Sequence, residues 1–197
     1  MARTFLIRTG RPAVAPEVVE DRRRTAADLR AGAVPALAHL VELAGDDPAL
    51  RAAAERAQEE LDAVTDWLAS PSDEPLDEAI ARAAVRAADA IDVGIETDLT
   101  MDLQVDDRTQ RALVRIVREA VRNAGVHGDA HTVTVSLTGP RPIVLKIVDD
   151  GAGFHPELVD RPGGGLDMIR RRAEGLGGTT TVRSDPGSGT TVTAYIT

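Results

Sequence analysis

Glu119 and Asn123 stand four residues apart in the stretch REAVRNAGVH, a spacing that sends both side chains off one face of a helix. A carboxylate and an amide oxygen stacked in this way offer hard oxygen ligands to Mg²⁺, which keeps several waters and takes further ligands from phosphates. A Glu and an Asn at that spacing more often mark a solvated helix face, so alone the pattern is weak. Further along, IVDDGAGF brings Asp149 to the end of an apolar strand, with Gly151 and Gly153 following at alternating positions. A strand-end carboxylate accepts a hydrogen bond from the exocyclic amine of a base, and glycines let the backbone approach a flat ring without a Cβ clash. Such a site favours adenine over guanine, whose carbonyl would face the carboxylate as a second acceptor. The competing reading is a tight turn capped by Asp149. A third stretch, PGGGLDMIRRRAEGLGG, sets Gly163, Gly164 and Gly165 directly before a helix. Free backbone N–H groups there wrap a phosphate at the positive helix end, although a flexible hinge has the same composition. No GxxxxGK followed by Ser or Thr is present, and no GxGxxG follows a strand, which excludes two common nucleotide folds on motif grounds.

The elements that must position these residues follow from periodicity. After an irregular lead-in over residues 1–16, apolar residues recur at helical spacing over 17–43. Gly45-Asp46-Asp47-Pro48 stops that helix and restarts another, with Asp47 as N-cap and Pro48 at the first helical position, running to about residue 69. Two long helices joined by a short turn cannot cover both apolar faces alone, and pairing with a second copy into a four-helix bundle is the simplest remedy; packing back onto the rest of the chain is the alternative. Residues 71–75 read as a linker, in a stretch rich in Ser, Pro and Asp. Residues 76–197 form the main domain: a helix over 76 to about 91, a strand over 94–99, and a longer helix from 107 to about 124. His127 extends that helix's Glu/Asn stripe if the helix survives Gly125. Strands at 131–138 and 143–148, a Gly-rich and Pro-containing loop, a helix over about 166–176, and strands at 179–184 and 190–196 complete it. The turn Asp185-Pro186-Gly187-Ser188-Gly189 joins the last two strands. The expected class is α/β: a two-layer sandwich with helices on one side of a largely antiparallel mixed sheet, preceded by a two-helix hairpin.

Composition narrows the functions. The chain has 197 residues and a formal net charge of −9, which argues against a nucleic-acid binder, since that affinity comes from clustered basic charge. Cysteine is absent, removing disulfides and thiolate metal sites and favouring the cytoplasm. No run approaches the ~18 apolar residues of a membrane span, and the opening MARTFLIRTG lacks the apolar block of a secretion signal.

Taken in order, the helix with Glu/Asn, the strand with DxGxG, the glycine loop and helix, and SDPGSGTTV resemble the histidine-kinase-type (GHKL) ATPase superfamily of gyrase, Hsp90, kinase and MutL relatives. Within it the chain looks most like the nitrate-sensor-like class of two-component sensor kinases. The resemblance runs from about residue 76 to the C-terminus. It implies the Bergerat-type ATP-binding fold, with ATP and Mg²⁺ as ligands. On this resemblance Glu119 is the catalytic acidic residue near the γ-phosphate, Asn123 the Mg²⁺ ligand, and His127 the histidine that ends the first box. Asp149 reads adenine above Gly151 and Gly153, while Gly163 and Gly165, with Leu166 beside them, close over the phosphates. Thr190 stands on the strand beside the adenine pocket. One departure is Val126, where relatives often carry lysine.

In active relatives the hairpin ahead of the ATPase domain carries the histidine that receives the γ-phosphoryl group. The class pattern, roughly R-I-A-x-D/E-L-H-D/E, falls on residues 24–31 and puts Arg30 at the histidine position, with Pro35 five residues beyond it. Arginine stays protonated and has no free lone pair, so it cannot accept phosphate in this way. His39 is the only histidine of that helix and has no acid directly after it. The resemblance therefore implies an ATP·Mg²⁺-binding homodimer lacking its own phosphoacceptor, acting with a response regulator or a competent kinase. The alternatives are an active kinase with its acceptor at His39 or on a partner, and a serine kinase of the anti-sigma type.

Overall fold

The computed structural model describes residues 16–43, 47–69, 74–159 and 164–197. The chain divides into two compact units, Met1–Glu74 and Pro75–Thr197.

The first unit is a pair of helices, α1 (Pro16–Leu43) and α2 (Pro48–Ala69), packed against each other. Asp47 caps α2 as its sequence indicates: Oδ1 accepts from the N–H groups of Ala49 (2.9 Å) and Leu50 (3.1 Å). Arg22 of α1 stacks over the Trp67 ring of α2, 5.1 Å from its centroid, a cation–π contact between the helices. α1 continues through Pro35, which supplies no N–H to the helix ladder. Leu40 and Leu43 remain 51% and 66% exposed, so the pair leaves apolar surface uncovered. Gly45 and most of the linker lie outside the described residues. No helix among the described residues is long and apolar enough to cross a membrane.

The second unit begins with α3 (Leu76–Asp89), β1 (Gly94–Leu99) and α4 (Asp107–Val126). Asp106 caps α4 by accepting from Thr109 N–H at 2.8 Å. The helix continues through Gly125 to Val126, and the close approach of the residues after α3 leaves no room for a side chain there: a Cβ would sit 2.5 Å from Ile91 Cδ1. β2 (Thr132–Thr138), β3 (Ile143–Asp149), the one-turn α5 (Pro156–Val159), α6 (Gly165–Glu174), β4 (Thr179–Ser184) and β5 (Thr190–Ile196) follow. The periodicity gave no sign of α5, since one helical turn inside a Pro-containing loop is too short to leave a repeat.

The sheet order is β1-β2-β3-β5-β4, with β1 and β2 parallel and every other pair antiparallel. The parallel pair needs a crossover, and α4 provides it. Val133, Val135 and Leu137 of β2 and Ile143, Leu145 and Ile147 of β3 are buried beneath the helices, while the residues between them are not. Leu113, Ile116, Val117, Ala120 and Val121 of α4 close the core from the other layer. Truncating a fully buried leucine such as Leu113 to alanine costs about 2–5 kcal/mol. This is the expected mixed-sheet, two-layer α/β architecture, preceded in the sequence by a helical hairpin.

Candidate functional site

Three stretches far apart in sequence meet at one end of the sheet. The ladder sets Asp149 opposite Thr190 and Thr190 opposite Ser184, one row across β3, β5 and β4. Asp149 Oδ1 accepts from Gly151 N–H and from Thr190 N–H, both at 3.0 Å. Among the described residues Oδ2 has no hydrogen-bond partner. Both sequence readings of this carboxylate are thus compatible: one oxygen caps the turn and the other is available.

The loop after β3 is stitched on two sides. Ala152 N–H donates to Gly128 O (2.6 Å), just beyond α4, and Gly187 N–H in the β4–β5 turn donates to Ala152 O (2.6 Å). Two glycines make this approach possible. Gly153 and Gly189 have φ of 63° and 70°, and Cβ atoms on them would strike the backbone oxygens of Asp185 and Asp149. Beside Asp149, Asp150 points elsewhere, its Oδ1 accepting from His131 N–H (2.8 Å) and Thr132 N–H (2.9 Å). The Thr132 bond above all holds its carboxyl below the usual range, with desolvation opposing and the His131 bond reinforcing.

A cavity of about 470 Å³ opens above this row, a size suited to a small-molecule ligand. Asn123, His127, Asp149, Gly153, Gly165, Leu166 and Thr190 line it, as do Phe154, Gly164 and Val192. Gly151 lies behind Asp149 rather than on the cavity wall, and Gly163 lies outside the described residues.

Glu119 is not on a solvated face. It is 7% exposed, because the start of α6 covers it: the space for a Cβ on Gly165 is taken by Glu119 Oε1, with Asn123 Nδ2 2.8 Å away. Neither the Glu119 carboxylate nor the Asn123 carboxamide has a side-chain hydrogen bond or ion pair among the described residues. Glu119 is buried and Asn123 half-buried, and polar groups so shielded are costly unless something else satisfies them. Gly164 N-caps α6 without any side-chain hydrogen bond, and Gly164, Gly165 and Leu166 at this helix start line the cavity.

Phe154, Gly128 and Ser184 escaped the sequence reading. Ser184 had a usable signal, since pairing β4 with β5 around the five-residue turn brings it opposite Thr190.

Residues 108–197 match the family described as histidine kinase-, DNA gyrase B- and HSP90-like ATPases. The chain carries a domain of that family, a histidine-kinase-type ATP-binding domain. It is 38% identical over 81 residues to the sensor histidine kinase LiaS of Bacillus subtilis (strain 168), a match covering 41% of this chain and 22% of that relative. Its fold resembles the histidine kinase domain of the blue-light activated histidine kinase of Erythrobacter litoralis EL346, with a TM-score of 0.60 at 18% identity, covering 92% of this chain and 94% of that one. The ATP binding domain of PrrB from Mycobacterium tuberculosis superposes with a TM-score of 0.52 at 23% identity, covering 62% and 93% respectively.

Proposed function

We propose that this chain is the ATP·Mg²⁺-binding part of a two-component signalling protein that lacks its own phosphoacceptor histidine. The observation that carries the nucleotide reading is the half-used Asp149: Oδ1 is fixed by two backbone N–H groups, and Oδ2 remains for a ligand in the adjoining cavity. Oδ2 accepts the exocyclic amine of adenine, Gly153 and Phe154 border the ring, and phosphates extend toward α6, where N–H groups and the helix dipole receive negative charge. The unpartnered Asn123 carboxamide suits Mg²⁺, with phosphate oxygens and water completing the coordination. When bound, that ion neutralises charge on the phosphates during transfer. Glu119 would polarise the attacking group, a water or a side chain of a partner, and take its proton as that group bonds to the γ-phosphorus and the bond to the ADP oxygen breaks.

The acceptor is the weak link. Arg30 stands exposed in the middle of α1, where the resemblance calls for histidine, and His39 is exposed nine residues on. A homodimer through α1 and α2 would cover Leu40 and Leu43, and a response regulator or a competent kinase would complete the signalling unit. Incubation with γ-labelled ATP and Mg²⁺, followed by acid and alkali treatment, tests this. ATP binding without any label on the chain supports the proposal. Acid-labile label lost in the His39→Ala variant makes the protein an active kinase instead. Acid-stable label on a partner indicates a serine kinase of the anti-sigma type.

A further inference from the structure

Ser184 ends β4 in the same row as Asp149 and Thr190. Its Oγ lies 2.9 Å from Phe154 N, 2.9 Å from Gly189 O and 3.1 Å from Thr190 Oγ1. A serine hydroxyl has one proton and two lone pairs. Phe154 N–H only donates and takes one lone pair. The Gly189 carbonyl only accepts and takes the proton. Thr190 must then donate to the second lone pair, leaving its own oxygen as an acceptor. Asp149 Oδ2 is an acceptor beside it.

The geometry points to Ser184 as the residue that sets the hydrogen-bonding polarity of this pocket: by fixing the direction of the Thr190 proton, it gives the site two adjacent acceptors and so selects a 6-amino purine over a 6-oxo purine. This rests on the nucleotide reading of the cavity. The exocyclic amine of adenine carries two protons and satisfies both acceptors, directly or through a water. A 6-oxo group meets two lone-pair faces and repels both. Ser184 need not touch the ligand. It acts through Thr190, and through the Phe154 backbone it holds one wall of the cavity.

Calorimetric titration with ADP and with IDP, its 6-oxo counterpart, tests the inference on the full chain and on the Ser184→Ala, Ser184→Thr and Thr190→Val variants. The wild type is expected to prefer ADP. Ser184→Ala frees the Thr190 proton to turn toward a 6-oxo group, so the ADP-to-IDP ratio should fall roughly 3- to 10-fold, about the worth of one neutral hydrogen bond. Ser184→Thr should restore the ratio. A merely structural role would weaken ADP and IDP alike and leave the ratio unchanged, which overturns the inference. If Ser184→Ala fails to fold, Thr190→Val decides: it should lose the preference in part, and full retention overturns the inference. A wild type that binds neither nucleotide refutes the nucleotide reading itself, a result distinct from binding without the Ser184 effect.

Discussion

Glu119 Oε1 occupies the space that a β-carbon on residue 165 would need, with Asn123 Nδ2 2.8 Å from the same point. The first turn of α6 therefore rests directly on two polar side chains of α4, Glu119 buried beneath it and Asn123 on the cavity wall. Anything that moves α6 alters the surroundings of both.

Gly165→Ala puts a methyl group into that contact. Glu119 is buried and cannot swing freely into solvent, so the start of α6 should shift. Overpacking of this kind costs about 1–3 kcal/mol. Chemical denaturation should register that loss, and ATP affinity should fall with it. Wild-type affinity in Gly165→Ala would mean that the phosphates do not use this helix end.

Glu119→Gln separates chemistry from stability. The carboxylate has no hydrogen-bond or ion-pair partner among the described residues, so the isosteric amide removes a desolvated acidic group and loses no bond. Thermal unfolding should be unchanged or shifted upward. Phosphoryl transfer or ATP hydrolysis, where measurable, should fall by about 10²–10⁴, the usual contribution of a positioned base. A variant as active as the wild type would assign the base to another residue.

Asp149→Asn retains an oxygen for the Gly151 and Thr190 N–H groups, so the turn should survive. The second oxygen becomes an NH₂ donor facing another donor on adenine. Loss of a charge-assisted hydrogen bond of about 1.5–3 kcal/mol predicts ATP binding roughly 10- to 150-fold weaker, read by calorimetry. Unchanged affinity would remove Asp149 from base recognition.

Asp150 gives the fold an acid-sensitive tie between the end of β3 and the start of β2. The Thr132 N–H first, and the His131 N–H after it, favour its charged form and lower its pKa. A depressed folded pKa contributes stability that is complete above the unfolded value of about 3.9 and vanishes as pH falls through the folded value. The stability gap between the wild type and Asp150→Asn should therefore be level through neutral pH and close only below about pH 4. Denaturation series at several pH values would show it, and a gap closing between pH 5 and 8 would contradict this account.

Much of the scaffold was legible because it is written locally. Apolar residues at a period of 3.6 located α4, alternation located β2, a nearly continuous apolar run located β3, and the Asp47-Pro48 pair marked the start of α2. Asp149, Asn123, Gly165 and Thr190 were recognisable from short motifs, and all four reach one cavity. Phe154 was not singled out, since one aromatic after a glycine turn has no distinctive pattern. The face of α4 bearing Glu119 read by itself as solvated, because its burial depends on α6, which returns to α4 only after the sheet strands β2 and β3.

Apart from the one-turn α5, the sequence alone determined which segments become helix or strand and which residue types could bind a nucleotide, because propensity, capping and periodicity act over a few neighbouring residues. Only the tertiary structure decided that Asp149, Thr190 and Ser184 share a row, that one Asp149 oxygen is spent while the other is spared, and that Glu119 is shut beneath Gly165. Those outcomes follow from strand register and helix packing, where groups distant in the chain compete for the same lone pairs and the same few cubic ångströms.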